Sequence, residues 1–203
     1  MPKSYAASKK NISSKKHSHK GKLTVIAGPM FSGKTGKLVA LVEVFTRMGY
    51  KVLTVKPAID SRYGGKKEIH SHDHKTSNAL VISKESSEEI LKKILATGAK
   101  KVIVDEVQFF DKDSIIEVIM KLKKLGIHVI AAGLLYDYKR QPFGATPDLM
   151  GLADEHLELF AVCQKCGSLA RHTERERGGK SLVVVGAGDS YIAACEKCHR
   201  VLR

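Results

Sequence analysis

The chain has 203 residues, a length that suits one domain with a small appendage and allows a real hydrophobic core. Its formal net charge of +14 fits either an attraction to nucleic acid and phosphorylated substrates or a solubilising surface. No stretch approaches the roughly 18 to 20 apolar residues that a membrane-spanning helix needs, so we expect no membrane contact.

The first 22 residues contain seven lysines and no acid. They lack the apolar centre of a secretory signal peptide, so we expect residues 1–21 to form a disordered basic tail and the protein to be cytoplasmic. About +7 then remains on the folded part, whose basic residues are scattered along the chain. Charge alone does not decide whether the tail binds anything, and we do not expect His17 and His19 to be metal ligands.

From Lys22 onward, short β-rich runs alternate with amphipathic stretches, such as one with Ile115, Ile119 and Leu122 at helical spacing. Near-continuous apolar strands between helices predict an α/β fold with a parallel sheet covered on both faces. Such sheets bind ligands beyond the carboxyl ends of their strands. We expect strands at 22–27, 51–56, 79–82, 101–105 and 127–133, and helices at about 34–48, 86–97 and 112–125.

The texture changes after about residue 159, where cysteines and turn-rich segments begin. We therefore predict a domain at 22–159 and a second, small one at 160–203. A unit of this size is too small for an independent core and needs a staple.

Residues 28–35, GPMFSGKT, satisfy G-x-x-x-x-G-K-[ST] between a predicted strand and a predicted helix. Backbone N–H groups of such a loop bind phosphates, helped by the positive end of the helix. Lys34 would reach the outer phosphates and Thr35 would bind Mg²⁺. The motif predicts a nucleoside triphosphate site and a phosphate-loop NTPase-like fold.

Two adjacent acids, Asp105 and Glu106, end the run VIVDE. A carboxylate at the end of a strand near a phosphate loop holds Mg²⁺ in this class of enzymes, which suits Asp105. Glu106 would then activate the attacking group, either water in an ATPase or the acceptor hydroxyl in a kinase. The pair by itself leaves both alternatives open.

Four cysteines occur late, as two C-x-x-C pairs separated by 28 residues. This spacing predicts a closed tetrahedral site for a structural Zn²⁺. His199 follows the last cysteine and is the alternative fourth ligand. The expected ligands are Cys163, Cys166, Cys195 and Cys198.

With a phosphate loop, DE-x-Q-F-F and a Cys₄ ribbon in this order, the chain resembles the cytosolic thymidine kinase family, the type with a zinc-ribbon lasso. The likeness covers about residues 22–199. It includes the segments KPAIDSRY (56–63), SH (71–72), PFG (142–144) and LVVVGAGDSY (182–191).

The resemblance implies phosphorylation of the 5′-hydroxyl of thymidine, with deoxyuridine as a second substrate, by ATP and Mg²⁺ in pyrimidine salvage for DNA synthesis. It implies Glu106 as general base and Arg62 as the residue that stabilises charge on the transferring phosphoryl group. It also implies a homotetramer with dTTP as feedback inhibitor. The implied ATP and Mg²⁺ residues are Gly28, Pro29, Met30, Phe31, Ser32, Gly33, Lys34, Thr35, Asp60, Asp105 and Gln108.

A loop between the zinc-bound arms closes over thymidine in this family and reads the base mainly through main-chain atoms. The implied substrate residues are Met30, Leu134, Tyr138, Phe143, Leu182, Val183, Val184, Val185, Gly186 and Tyr191. Four of the implied residues have a plainer alternative: Leu134 as core, Tyr138 and Phe143 as packing, and the catalytic candidate Arg62 as a surface partner of Asp60. The cluster HSHDH at 70–74 is expected to be solvated rather than metal-binding.

The chain departs from the family where an acid commonly follows the Gly-Leu of the fifth strand, because Leu135 stands there. Nearby Asp137 is a candidate to take over a polar role, and the substitution puts fine substrate preference in doubt. A nucleic-acid-binding ATPase is the alternative class. It is disfavoured because about 200 residues leave no room for a second motor lobe and stacking aromatics are sparse, so no specific nucleic acid is expected.

Overall fold

A six-stranded parallel sheet forms the centre of the protein in this computed structural model, which describes residues 20–58, 68–70, 76–177 and 190–201. The sheet order is β5-β2-β6-β7-β1-β8, and all five pairings are parallel. Its strands are β1 (Lys22–Ala27), β2 (Val52–Pro57), β5 (Leu80–Ile82), β6 (Lys101–Val104), β7 (His128–Gly133) and β8 (Glu155–Glu158). A separate hairpin pairs β3 (Glu68–His70) with β4 (Thr76–Asn78). The predicted α/β parallel sheet is confirmed.

Helices cover both faces of the sheet, because strand side chains alternate between two apolar cores. In β6, Val102 and Val104 belong to one core while Ile103 belongs to the other. Burying one such side chain contributes about 1.5 to 3 kcal/mol. Helix α1 (Lys34–Arg47) packs on the Ile103 face, and α2 (Glu88–Thr97), α3 (Lys112–Lys124) and α4 (Thr146–Leu152) pack on the other.

Local signals set the ends of these helices. The side chain of Asp111 accepts a hydrogen bond of 3.0 Å from the Ser114 N–H and caps the start of α3. Gly98 ends α2 in the left-handed conformation, with a φ of 68°. Among the described residues, no helix is long and apolar enough to cross a membrane.

A small unit of short strands follows the sheet. Strand β9 (Ala161–Val162) pairs with β10 (Leu169–Ala170), and β11 (His172–Arg175) pairs with β12 (Tyr191–Ala194), both antiparallel. In the part of this unit that the structure describes, the buried core cluster consists of three alanines and two cysteines. We call residues 160–177 and 190–201 the ribbon. So small a core agrees with the expected need for a staple.

The sheet edge at the carboxyl ends of the strands positions the candidate site. Strands β6, β7 and β1 are neighbours, so the residues that follow them lie at one edge. These are Asp105 after β6, Leu134 after β7, and the loop 28–33 after β1.

Candidate active site

The loop 28–33, called the phosphate loop below, has the backbone geometry that its sequence predicts. Gly33 has a φ of 80° and begins α1. A side chain at Gly28 would meet the Leu159 carbonyl oxygen at 2.6 Å, so only glycine fits there. Phe31 adopts a φ of 64°, unusual for a residue with a side chain. The loop is therefore held in a tight, specified shape at the amino end of a helix.

Lys34, the first residue of α1, is buried against this loop. Its ammonium donates hydrogen bonds of 2.9 Å to the Gly28 carbonyl and 2.8 Å to the Pro29 carbonyl. Burial lowers its pKa, while the negative charges of Glu106 and Asp105 act in the opposite direction. The ammonium of Lys34 thus lies beside the amides of the loop. An anionic phosphate is a better hydrogen-bond acceptor than the two neutral carbonyls that the ammonium contacts here.

Asp105 lies next to Thr35 at the bottom of the site. Its carboxylate accepts hydrogen bonds from the Thr35 hydroxyl at 3.3 Å and from the Glu106 N–H at 2.9 Å. Burial, and then the charge of Glu106, raises its pKa to about 7. Hydroxyl and carboxylate oxygens are ligands that Mg²⁺ accepts, and a dication would supply the positive charge that this buried acid lacks. The donor set fits Mg²⁺.

Glu106 does not continue the strand conformation, so its backbone geometry differs from that of a strand residue. Its φ of 52° and ψ of 43° are left-handed, a conformation that costs a residue with a side chain about 1 to 2 kcal/mol. The Gln108 amide donates a hydrogen bond to its carboxylate and accepts one of 3.2 Å from the Leu134 N–H. Gln108 thereby fixes Glu106 to the end of β7, and local strain of this kind is often found at functional sites.

The structure brings Tyr138 and Tyr191 together around a residue that the sequence analysis did not identify. Arg175 is almost fully buried, and its guanidinium lies 3.8 Å from the Tyr138 ring centroid. It also donates a hydrogen bond of 2.6 Å to the Tyr191 hydroxyl. In the sequence, Arg175 belongs to the charged run ERERGGK and gives no signal of burial.

The other predicted apolar residues occupy the same end of the sheet. Leu134 is buried directly after β7, and its N–H is bonded to Gln108 as described. Phe143 packs edge-on against Phe109, with ring centroids 5.4 Å apart. Met30 is tied to the ribbon, since its N–H donates a hydrogen bond of 2.9 Å to the Thr173 hydroxyl.

Asp137 has a structural role in the loop that follows β7. Its carboxylate accepts hydrogen bonds of 2.7 Å from the Lys139 N–H and 2.9 Å from the Gln141 N–H. This pattern closes a tight turn. The suggestion that Asp137 replaces the missing acid at Leu135 is therefore not favoured, because its Oδ1 is already committed to the turn.

The four cysteines converge on one point. The sulfur atoms of Cys163, Cys166, Cys195 and Cys198 all lie within 4.8 Å of one another, and those of Cys166 and Cys195 are 3.6 Å apart. Zn–S bonds of about 2.3 Å in a tetrahedron require about 3.8 Å between sulfurs, so the cluster fits Zn²⁺. Cys198 belongs to this cluster and His199 does not, so Cys198 is the better fourth ligand.

Arg140 joins the loop after β7 to the second cysteine arm, another contact without a sequence signal. Its guanidinium donates at 2.6 Å to the Glu196 carboxylate and at 3.0 Å to the Glu196 carbonyl. The other oxygen of that carboxylate lies 2.6 Å from His172 Nε2. Through these contacts and Thr173, the ribbon touches two loops of the candidate site.

Several predicted residues lie outside the described part of the chain. These are Asp60 and Arg62, the substrate residues Leu182, Val183, Val184, Val185 and Gly186, the cluster at 71–74, and tail residues 1–19. Their roles stay predictions.

Comparison with known proteins identifies the family. The family model described as thymidine kinase matches residues 21–199. A thymidine kinase of Mycoplasma mobile is 40% identical over 179 residues, which cover 88% of this chain and 87% of that protein. The chain therefore belongs to the thymidine kinase family.

Proposed function

We propose that this kinase transfers the γ-phosphoryl group of ATP to the 5′-hydroxyl of thymidine, and to that of deoxyuridine, in pyrimidine salvage for DNA synthesis. The observation that carries the proposal is the position of Glu106. Its carboxylate is held by Gln108 at the sheet edge where Asp105, Thr35 and the phosphate loop meet. A second acid beside a metal-binding acid suits a general base, and membership of the thymidine kinase family favours a hydroxyl over water as the attacking group.

The phosphate side of the site needs little covalent chemistry and much positioning. Amides of residues 28–35 and the ammonium of Lys34 would hold the triphosphate. Thr35 and Asp105 would hold Mg²⁺, which when bound neutralises charge on the phosphate oxygens. Asp60 and Gln108 belong to this segment by resemblance, and the contacts of Gln108 support a role in orienting Glu106.

The acceptor side depends on Glu106. Its carboxylate would take the proton of the 5′-hydroxyl as the oxygen attacks the γ-phosphorus, and the leaving group would be ADP. Arg62 would neutralise charge that develops on the transferring group. General base catalysis of this type contributes about 10²- to 10⁴-fold to the rate.

The nucleoside would lie against the apolar and aromatic side chains at the carboxyl edge of the sheet. Met30, Leu134, Tyr138, Phe143 and Tyr191 would form the walls, and the main chain of residues 182–186 would read the base. The contacts of Arg175 with both tyrosines support a common pocket for them.

The remaining assignments rest on resemblance and composition. Residues 22–159 would form the nucleotide-binding domain and residues 160–203 a zinc-ribbon lasso stabilised by structural Zn²⁺. A homotetramer, feedback inhibition by dTTP and a cytoplasmic location complete the proposal.

A nucleoside panel tests the function. The full chain is incubated with ATP and Mg²⁺, and monophosphate formation is measured for thymidine, deoxyuridine and deoxycytidine. We expect thymidine and deoxyuridine to react and deoxycytidine to be a poor substrate. ATP hydrolysis without nucleoside phosphorylation would contradict the proposal, and stimulation of that hydrolysis by DNA would favour the ATPase alternative. Leu135→Asp, compared with the parent, tests whether this position sets the substrate ratios.

A further inference from the structure

A basic cavity lies at the amino ends of the strands, opposite the candidate active site at their carboxyl ends. Strands β1, β6 and β7 begin at Lys22, Lys101 and His128, and all three residues line it. Tyr50 and Lys100 contribute further walls, and Lys20 closes it near the start of the described chain. The cavity has a volume of about 420 Å³, within the usual range for small-molecule sites.

The cavity carries a net positive charge. No acidic side chain lines it among the residues that the structure describes. Two nearby acids offset part of this charge, because Glu155 pairs with Lys22 of this cavity and Asp154 pairs with Lys123 of an adjoining one. An adjoining cavity of about 600 Å³ shares Lys20 and adds two lysines without adding an acid. The lysines that are scattered in the sequence are thus gathered by the parallel strands at one edge.

Lys101 is held in place rather than left free in solvent. Its ammonium lies 3.2 Å from His128 Nδ1, and 4.8 Å and 4.7 Å from the ring centroids of Phe45 and Tyr50. Contact with an ammonium requires His128 Nδ1 to be the acceptor, so Nε2 carries the proton and donates to the Thr24 hydroxyl at 2.9 Å. The cation is therefore preorganised, which lowers the entropic cost of binding an anion.

His128 reports the field in this cavity. Burial, and then the charges of Lys101 and Lys22, lower its pKa to about 4 against the smaller opposing effects of Glu155 and Asp154. Burial and then Lys22 also lower the pKa of Lys101. A bound anion would act in the opposite direction and raise the pKa of both His128 and Lys101.

We propose that this cavity is a second, non-catalytic anion site that binds a compact polyphosphate group, such as the triphosphate of a nucleotide. Several ammonium groups around one cavity match the clustered charge of a triphosphate. A polynucleotide is less suited, because single strands stack successive bases on several aromatic rings, and among the described lining residues Tyr50 and His128 are the aromatic ones. The inference does not depend on the proposed reaction.

Calorimetric titration with inorganic triphosphate tests the site in the full chain. The Lys34→Ala variant serves as background, since it weakens binding at the phosphate loop. We expect one remaining binding event, weakened about tenfold or more by a second change, Lys101→Met or the solvent-exposed Lys100→Gln. Lys92→Gln on α2 is the matched control, because it removes one exposed charge away from the cavity. A further control changes tail lysines Lys9, Lys10, Lys15 and Lys16 to Gln.

The outcomes separate the alternatives. Absence of binding in the Lys34→Ala background overturns the proposal. Equal weakening by Lys92→Gln or by the tail variant also overturns it, since the interaction is then non-specific. Tighter binding of a single-stranded oligonucleotide than of triphosphate, with a steep salt dependence, would show a polynucleotide surface instead. NMR of the His128 ring gives a local readout, since its pKa should rise when triphosphate occupies the cavity and stay unchanged otherwise. Nucleoside phosphorylation by Lys101→Met should equal that of the parent.

Discussion

Replacing Gly144 by alanine should damage the site through Gln108. Gly144 has a φ of 57°, and a Cβ there would lie 2.2 Å from the Gln108 carbonyl oxygen and 2.7 Å from its Cα. The left-handed conformation costs alanine about 1 to 2 kcal/mol. The overlap adds about 1 to 3 kcal/mol, because it involves backbone atoms and not a flexible side chain. We expect Gly144→Ala to lower the free energy of unfolding by about 2 to 5 kcal/mol.

Gly98→Ala is the matched control for this change. Gly98 has a φ of 68°, but a Cβ there meets no atom within 4 Å, so only the conformational cost applies. Urea unfolding followed by circular dichroism would compare both variants with the parent, and equal m-values would show that the same transition is measured. Because a displaced Gln108 cannot orient Glu106, Gly144→Ala should also lower kcat. Equal destabilisation by the two variants would show that a Cβ at position 144 meets no steric barrier, and an unchanged kcat in Gly144→Ala would show that Gln108 does not orient Glu106 for catalysis.

Three further predictions concern the pocket, the ribbon and the metal site. Arg175→Met should raise the KM for thymidine more than the KM for ATP. Arg175→Lys should partly rescue this effect, and Tyr191→Phe should show a smaller one. An unchanged KM for thymidine in Arg175→Met would contradict a role of Arg175 in the nucleoside pocket. Chelation of Zn²⁺ should unfold the ribbon, which hydrogen exchange would measure. It should also weaken ATP binding, measured by nucleotide titration, because Thr173 of the ribbon bonds Met30 of the phosphate loop. Unchanged hydrogen exchange in residues 160–177 of the chelated protein would show that the cysteines are not a structural metal site. The Asp105 pKa of about 7 in the folded protein lies above the value near 4 of an unfolded aspartate. In the metal-free protein, the protonated carboxyl of Asp105 therefore stabilises the fold fully below about pH 4, and this stabilisation is lost as the pH rises through 7. Because Mg²⁺ needs the ionised carboxylate, the affinity for Mg²⁺ with ATP should be weaker at pH 6 than at pH 8. Asp105→Asn should remove the contribution of Asp105 to the pH dependence of stability between about pH 4 and 7. If Asp105→Asn keeps the whole pH dependence of the parent, other groups cause it.

The sheet could be predicted because its signal is local and repeated. Apolar runs such as VIV before Asp105 identify buried strands without reference to their neighbours. The predicted strands and helices agree with the observed ones to within one or two residues. Strand β8 was missed because EHLE lies at an edge and is half polar, and α4 was missed because it is only seven residues long.

The chemistry-bearing motifs were visible for the same reason, whereas their supports were not. The phosphate loop and the cysteine pairs are contiguous in sequence, so their geometry follows from spacing. The contacts of Arg175, Arg140 and Gln108 join segments that are distant in the chain. No pattern in one sequence shows which surface charge becomes buried, since pairing of strands decides it. The basic cavity is hidden in the same way, because its lysines come from separate strands and loops.

The most direct test of the account is the turnover of Glu106→Gln. ATP affinity and the rate of thymidine monophosphate formation would be measured for parent and variant at saturating substrates, with circular dichroism to establish that the fold is retained. We expect ATP affinity close to that of the parent and a kcat lower by about 10²- to 10⁴-fold, because the phosphate loop is intact and the general base is lost. A Glu106→Gln variant that phosphorylates thymidine at the parent rate would contradict it.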